Sequence, residues 1–268
     1  MKAIINNCLH RYIDIGVTTA TPVIFIHGFP FSHKMWTTSG GQAEALSGTN
    51  RVIAYDVRGH GETEIGSGQY TIEIFVDDLI GLMDHLKIHK AIITGLSMGG
   101  YITLRAYEKY PERFLGMVLC DTKCISDTNE GKIKRAESAK YLTANGLKSY
   151  AEDYVKRMFT PESFNTKNDA VKLIQSTIEK TSPTSIIGTL IALAARTDST
   201  NLLQKISVPT LILVGEKDTV TTPADSQFMK ERIPNAQMQI IPNAAHMSNL
   251  ENAEEFNKHL TAFVKSIQ

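Results

Sequence analysis

A run of β-branched residues, Ile92-Ile93-Thr94, leads straight into Gly95-Leu96-Ser97-Met98-Gly99, and a helical pattern follows at once. Strand, Gly-x-Ser-x-Gly and helix in immediate succession distinguish a nucleophile elbow from a chance glycine-rich loop. So tight a turn forces Ser97 to an unfavourable, positive φ. Side chains two residues to either side would collide there, so Gly95 and Gly99 stand where a Cβ has no room. The Ser97 hydroxyl is thereby lifted clear, with the N-terminus of a helix behind it whose amides favour developing negative charge.

Around this junction the chain keeps a strand–helix rhythm. Residues 3–15 read as two short strands about a turn at Asn6-Asn7. Residues 22–26 are an apolar run suited to a strand buried on both faces, ending in His27-Gly28-Phe29-Pro30. A helix is expected over 34–46 and a strand over 51–55. Phe75, Val76, Leu79, Leu82, Met83 and Leu86 keep helical spacing over 74–86. A helix over 101–110 is stopped by Pro111, and 115–120 is a strand. Strands at 208–215 and 238–241 follow later, with helices at 224–232 and 253–266. This alternation predicts an α/β fold with a parallel sheet covered on both faces. Between 122 and 200 the strands stop, while helical patterns continue at 151–159, 169–179 and 184–196. The expected organisation is a core of residues 1–121 and 201–268, with 122–200 inserted as a helical cap.

Composition removes several classes. Twenty-eight basic and twenty-eight acidic residues cancel, so no global field points to nucleic acid or an anionic membrane. No long apolar run and no leader at Met1 suggest a membrane span or secretion. Cys8, Cys120 and Cys124 are odd in number and lack paired ligand spacing, as expected of reduced thiols in a cytoplasmic protein. His10, His33, His85, His89 and His259 show no ligand spacing either, so no metal is expected. Asp56-Val57-Arg58-Gly59-His60-Gly61 reads as charged residues pinning a tight turn, and without a phosphate-loop lysine it is no nucleotide site.

A serine hydroxyl is a poor nucleophile until a base takes its proton, and that base needs an orienting acid. Sites in parallel sheets form at the carboxyl ends of strands. Asp218 follows one later strand and His246 the next, and Ser97, Asp218, His246 is a serviceable triad order. Alone, Asp218 reads as a turn or capping residue and His246 as a surface histidine; their joint placement carries the assignment. Asp121 and Glu216, also near strand ends, are the substitutes for the acid. The oxyanion needs two amides. Met98 supplies one and Phe29 the other, because Pro30 has no N–H and Gly28 leaves that backbone free to turn. His27 is read as holding this loop by hydrogen bonds. Trp36 either lines the pocket or packs, with packing favoured.

With these residues assembled, the chain resembles the α/β-hydrolase superfamily along essentially its whole length. The matching stretches are His27–Pro30, Asp56–Gly61, Gly95–Gly100, Gly215–Asp218 and Ala245–Asn249. Within it, Val118–Thr122 and His246–Glu251 look most like the carboxylesterase and 3-oxoadipate enol-lactonase branch. The resemblance implies a mostly parallel eight-stranded sheet with a helical cap, and hydrolysis of a small-molecule ester or lactone without a cofactor. It gives Ser97 the role of nucleophile, His246 that of base and Asp218 that of its partner, with Phe29 and Met98 at the oxyanion. An acidic lactone would need a cationic anchor, for which Arg135, Arg157 and Arg196 are candidates. The apolar run 186–193, with Ile187, suits a short acyl chain and favours a general carboxylesterase. A triad-retaining small-molecule receptor, and acyl transfer to peroxide, stay open, as do chain-length preference and oligomeric state.

Overall fold

The computed structural model describes residues 1–267. β1 (Lys2–Ile5) and β2 (Cys8–Gly16) form a hairpin with Asn6 and Asn7 at φ 48° and 58°. Two successive left-handed residues are what a two-residue hairpin turn requires. β3 (Pro22–Ile26), β4 (Arg51–Tyr55), β5 (Ala91–Leu96), β6 (Phe114–Cys120), β7 (Thr210–Gly215) and β8 (Gln237–Ile241) complete the sheet. Its eight strands run in the order β1-β2-β4-β3-β5-β6-β7-β8. β2 pairs antiparallel with β1 and β4, and all other neighbours are parallel.

The register places Ile24 beside Ile93 and Thr94 beside Val118, so β5 carries Ser97 out of the middle of the sheet. Every residue of β5 and β7 is buried. Burying one such Ile, Leu or Val side chain contributes about 1.5–3 kcal/mol. The edges differ: β8 leaves Ile240 half exposed.

α1 (Gln42–Ser47), α2 (Ile72–His85) and α3 (Met98–Lys109) connect the first strands, and α2 packs on α3. Thr71 caps α2 by accepting from the Ile74 amide at 3.1 Å. Between β6 and β7 lie α4 (Asn129–Met158), α5 (Ser163–Thr166), α6 (Asn168–Lys180) and α7 (Pro183–Ala194). α8 (Pro223–Lys230), α9 (Ser248–Glu251) and α10 (Ala253–Ser266) finish the chain, and α10 packs on α1. Among the described residues no helix is long and apolar enough to cross a membrane. Cys8, Cys120 and Cys124 are buried and unbridged.

Two segments depart from the sequence reading. The helix expected over 34–46 is two pieces, a 3₁₀ turn at His33–Trp36 and then α1. Gly40, at φ 70°, and Gly41 interrupt it, because glycine there gives up little by leaving the helix. Conversely, α4 begins at Asn129, far before the pattern at 151–159. Few of its early residues are buried, so no apolar stripe marks them, and it turns sharply at Gly146 (φ 77°).

Candidate active site

Ser97 sits at φ 53°, ψ −111°, between β5 and α3. A Cβ on Gly95 would lie 2.2 Å from the Gly99 carbonyl oxygen, and one on Gly99 would lie 2.3 Å from that of Ile26. Both contacts are with backbone, so neither glycine can be replaced without moving the turn. Ser97 donates its amide to Cys120 O at 2.9 Å, and Thr122 Oγ1 donates to Ser97 O at 2.8 Å. The elbow is thus braced from β6.

The imidazole of His246 and the carboxylate of Asp218 meet at 2.8 Å, Nδ1 to Oδ2. Asp218 also accepts from the amides of Val220 (2.7 Å) and Thr221 (3.1 Å) and from Thr221 Oγ1 (2.8 Å). Burial works against its ionisation, but His246 and these donors outweigh burial and hold it below the usual carboxylate range. Burial likewise opposes protonation of His246, yet Asp218, Asp121 and Glu251 raise its pKa above the ordinary histidine value. With Nδ1 committed to Asp218, Nε2 is the nitrogen left for proton transfer. Among the described residues the Ser97 hydroxyl makes no hydrogen bond, so the expected contact between Ser97 and the His246 imidazole is not formed in this structure.

The substitutes for the acid fall elsewhere. Glu216 is exposed and accepts from the Asn243 amide at 2.9 Å. Asp121 is fully buried at φ 42°, bonded to the Gly215 amide (2.8 Å) and Ser248 Oγ. Burial first, then neighbouring Asp218, pushes its pKa well above the carboxylate range. It ties the end of β6 to Gly215 of β7 and to Ser248, while Asp218 holds the imidazole.

Among the described residues the amides of Phe29 and Met98 have no protein acceptor. The Phe29 carbonyl accepts from Tyr154 Oη at 2.9 Å, which fixes the loop from the side of α4. His27, fully buried, pairs Nδ1 with Gly28 O (2.8 Å) and accepts at Nε2 from the Val57 amide (2.9 Å). Both ring nitrogens are therefore taken by the backbone, and the ring is a brace.

A cavity of about 230 Å³ opens beside these groups, bounded by Phe29, Tyr154, Met158, Leu190 and Val220, with Arg135, Arg157 and Lys134 at its polar side. Its wall includes neither Ser97 nor His246. Trp36 and Ile187 are not in it either. Trp36 is fully buried against Phe25 (ring centroids 4.9 Å) and Phe256 (6.3 Å), so its role is packing. Ile187 is half-buried against the core, and in the 186–193 run only Leu190 reaches the cavity. That run serves helix packing because Ile186, Leu190 and Leu193 face inward together. Of the arginines, Arg135 and Arg196 share Asp127 at 2.9 and 2.8 Å. Arg157 lies 5.0 Å over the Tyr154 ring and pairs with no carboxylate among the described residues. A wider cleft of about 550 Å³ runs along α2, but Asp78 there is bound to Arg58 at 2.7 Å and no serine, cysteine or histidine lines it.

The mostly parallel sheet, the elbow and the hydrogen-bonded acid–histidine pair describe an α/β hydrolase, and residues 21–253 match that family. The chain belongs to the α/β hydrolase family. It is 34% identical over 255 residues to 3-oxoadipate enol-lactonase 1 of Acinetobacter baylyi, covering 94% of this chain and 92% of that one. A malate-bound thermophilic esterase from Thermogutta terrifontis superposes with a TM-score of 0.92 at 32% identity, over 100% and 98% of the two chains. The enol-lactonase of Burkholderia xenovorans LB400 gives 0.91 at 29% identity, over 99% and 100%.

Proposed function

We propose that this chain hydrolyses small carboxylic esters and lactones through an acyl-Ser97 intermediate. Ser97 is the nucleophile, His246 takes its proton and returns it to the leaving oxygen, and Asp218 fixes the imidazole tautomer. The amides of Phe29 and Met98 meet the oxyanion. The observation that carries this reading is the 2.8 Å contact between His246 Nδ1 and Asp218, which leaves Nε2 free to act as base, together with the strained backbone of Ser97 at the β5–α3 turn. Ser97→Ala tests it on p-nitrophenyl acetate and butyrate. Turnover falls about a million-fold in kcat with the protein still folded; retained turnover removes Ser97 from the mechanism.

A second reading narrows the substrate to one bearing a free carboxylate, as 3-oxoadipate enol-lactone does. Arg157, with no carboxylate partner among the described residues and beside a cavity that also meets Arg135 and Lys134, favours it, since a desolvated carboxylate needs a cationic partner. The relatives named enol-lactonase support it as well. Comparing an acidic enol-lactone with a neutral ester of equal size decides the matter. With the acidic substrate, Arg157→Gln raises KM about tenfold or more and leaves the neutral ester unaffected. Equal effects on both would leave a general carboxylesterase.

A further inference from the structure

Glu251 is almost wholly buried and has no cationic partner among the described residues. All its contacts are donors. Oε1 accepts from the Thr160 amide and from Ser163 Oγ, both at 2.7 Å, and Oε2 accepts from the Ala245 amide at 2.7 Å. Thr160 and Ser163 belong to the helical insertion, just past the end of α4, whereas Ala245 immediately precedes His246. On the other side of the histidine, the Met247 amide donates to Met158 O, the last residue of α4, at 3.1 Å. The backbone is thus tied on both flanks of His246, and each tie leads to the same stretch of the insertion. A surface loop with no such demand would leave those amides to water.

Resting on the reading of His246 as the base, we propose that Glu251 is a positioning residue that makes the aim of His246 depend on the docked helical insertion. The carboxylate bridges two segments whose backbones are otherwise joined here only through Met247 and Met158. If the insertion lifts, Oε1 loses two donors, and the loop from Ala245 to Met247 loses its fixed frame. A misplacement of about 1 Å at a catalytic group is worth about a hundredfold in rate. The arrangement therefore links closure over the substrate to readiness of the base. Glu251 also adds a negative charge near an imidazole faced by Asp218 from the β7 loop and Asp121 from the end of β6.

Glu251→Gln keeps the shape but sets an NH₂ group against one of the three donors. On a p-nitrophenyl ester, the variant loses about ten- to a hundredfold in kcat, with KM changed by less than about threefold. The acid limb of log(kcat/KM) moves to lower pH, since removing a negative charge lowers the pKa of His246. Ser163→Ala removes one of the two insertion-side donors, leaving the Thr160 amide and the Ala245 side intact, and stands in if Glu251→Gln fails to fold. It lowers kcat alone, and in the double variant the two effects are less than additive. A lower melting temperature with kcat and the acid limb unchanged in Glu251→Gln, or an unchanged kcat in Ser163→Ala, would overturn the inference. Loss of Ser97 dependence in the unaltered protein would instead strike the underlying mechanism, so the two failures are distinguishable.

Discussion

Lowering the pH should destabilise this protein through two histidines packed against the Gly28-Phe29 loop. His27 and His60 are fully buried, with ring centroids 5.5 Å apart. Burial, and then the neighbouring His60, pull His27 from 6.5 to about 3; burial pulls His60 to about 4. The geometry agrees for His27, because Nε2 accepts from the Val57 amide and a proton there would set two donors face to face. Both folded values are depressed below the unfolded 6.5, so the unfolded chain binds more protons and stability falls as pH drops through 6.5 toward the folded values. At pH 5 the unfolded imidazole is about 1.5 units below its pKa and the folded His27 is still neutral, a loss of about 2 kcal/mol. His60 contributes about the same again. The raised pKa of His246 has the opposite sign, giving stability below pH 6.5 that is lost as pH rises through its folded value. The assay is urea unfolding at pH 7.5 and pH 5, repeated for His27→Gln. That variant is weaker at pH 7.5, but its loss between the two pH values is smaller by about 2 kcal/mol. An identical loss in both proteins would refute the argument.

Other outcomes follow from the same geometry. Asp218→Asn removes the partner that raises His246, so the acid limb of log(kcat/KM) shifts to lower pH while kcat falls about 10⁴-fold; a stationary limb would mean another carboxyl governs the base. Gly99→Ala presses a Cβ to 2.3 Å from Ile26 O, and urea titration should register about 1–3 kcal/mol of destabilisation along with lost turnover. Tyr154→Phe deletes the donor to Phe29 O but keeps the ring stacked on Tyr150, so steady-state kinetics should show kcat down about two- to tenfold with little change in melting temperature.

The elbow, the strand–helix alternation and the pairing of Asp218 with His246 were readable directly from the chain. Each is a local demand: a glycine where no Cβ fits, an apolar run where both faces are covered, an acid and a histidine just past strand ends. Packing alone decided that Trp36 belongs between Phe25 and Phe256, and that Ile187 turns from the cavity while Leu190 faces it. Nothing local separates an apolar residue that meets substrate from one that meets another helix, because both remove the same surface from water. The cations are similar: Arg135, Arg157 and Arg196 look alike in sequence, and only the position of Asp127 leaves Arg157 without a carboxylate partner among the described residues. Glu251 shows the same division. Its residue type was visible five places after His246, but its bridge to Thr160 and Ser163 exists because folding brings together segments about ninety residues apart.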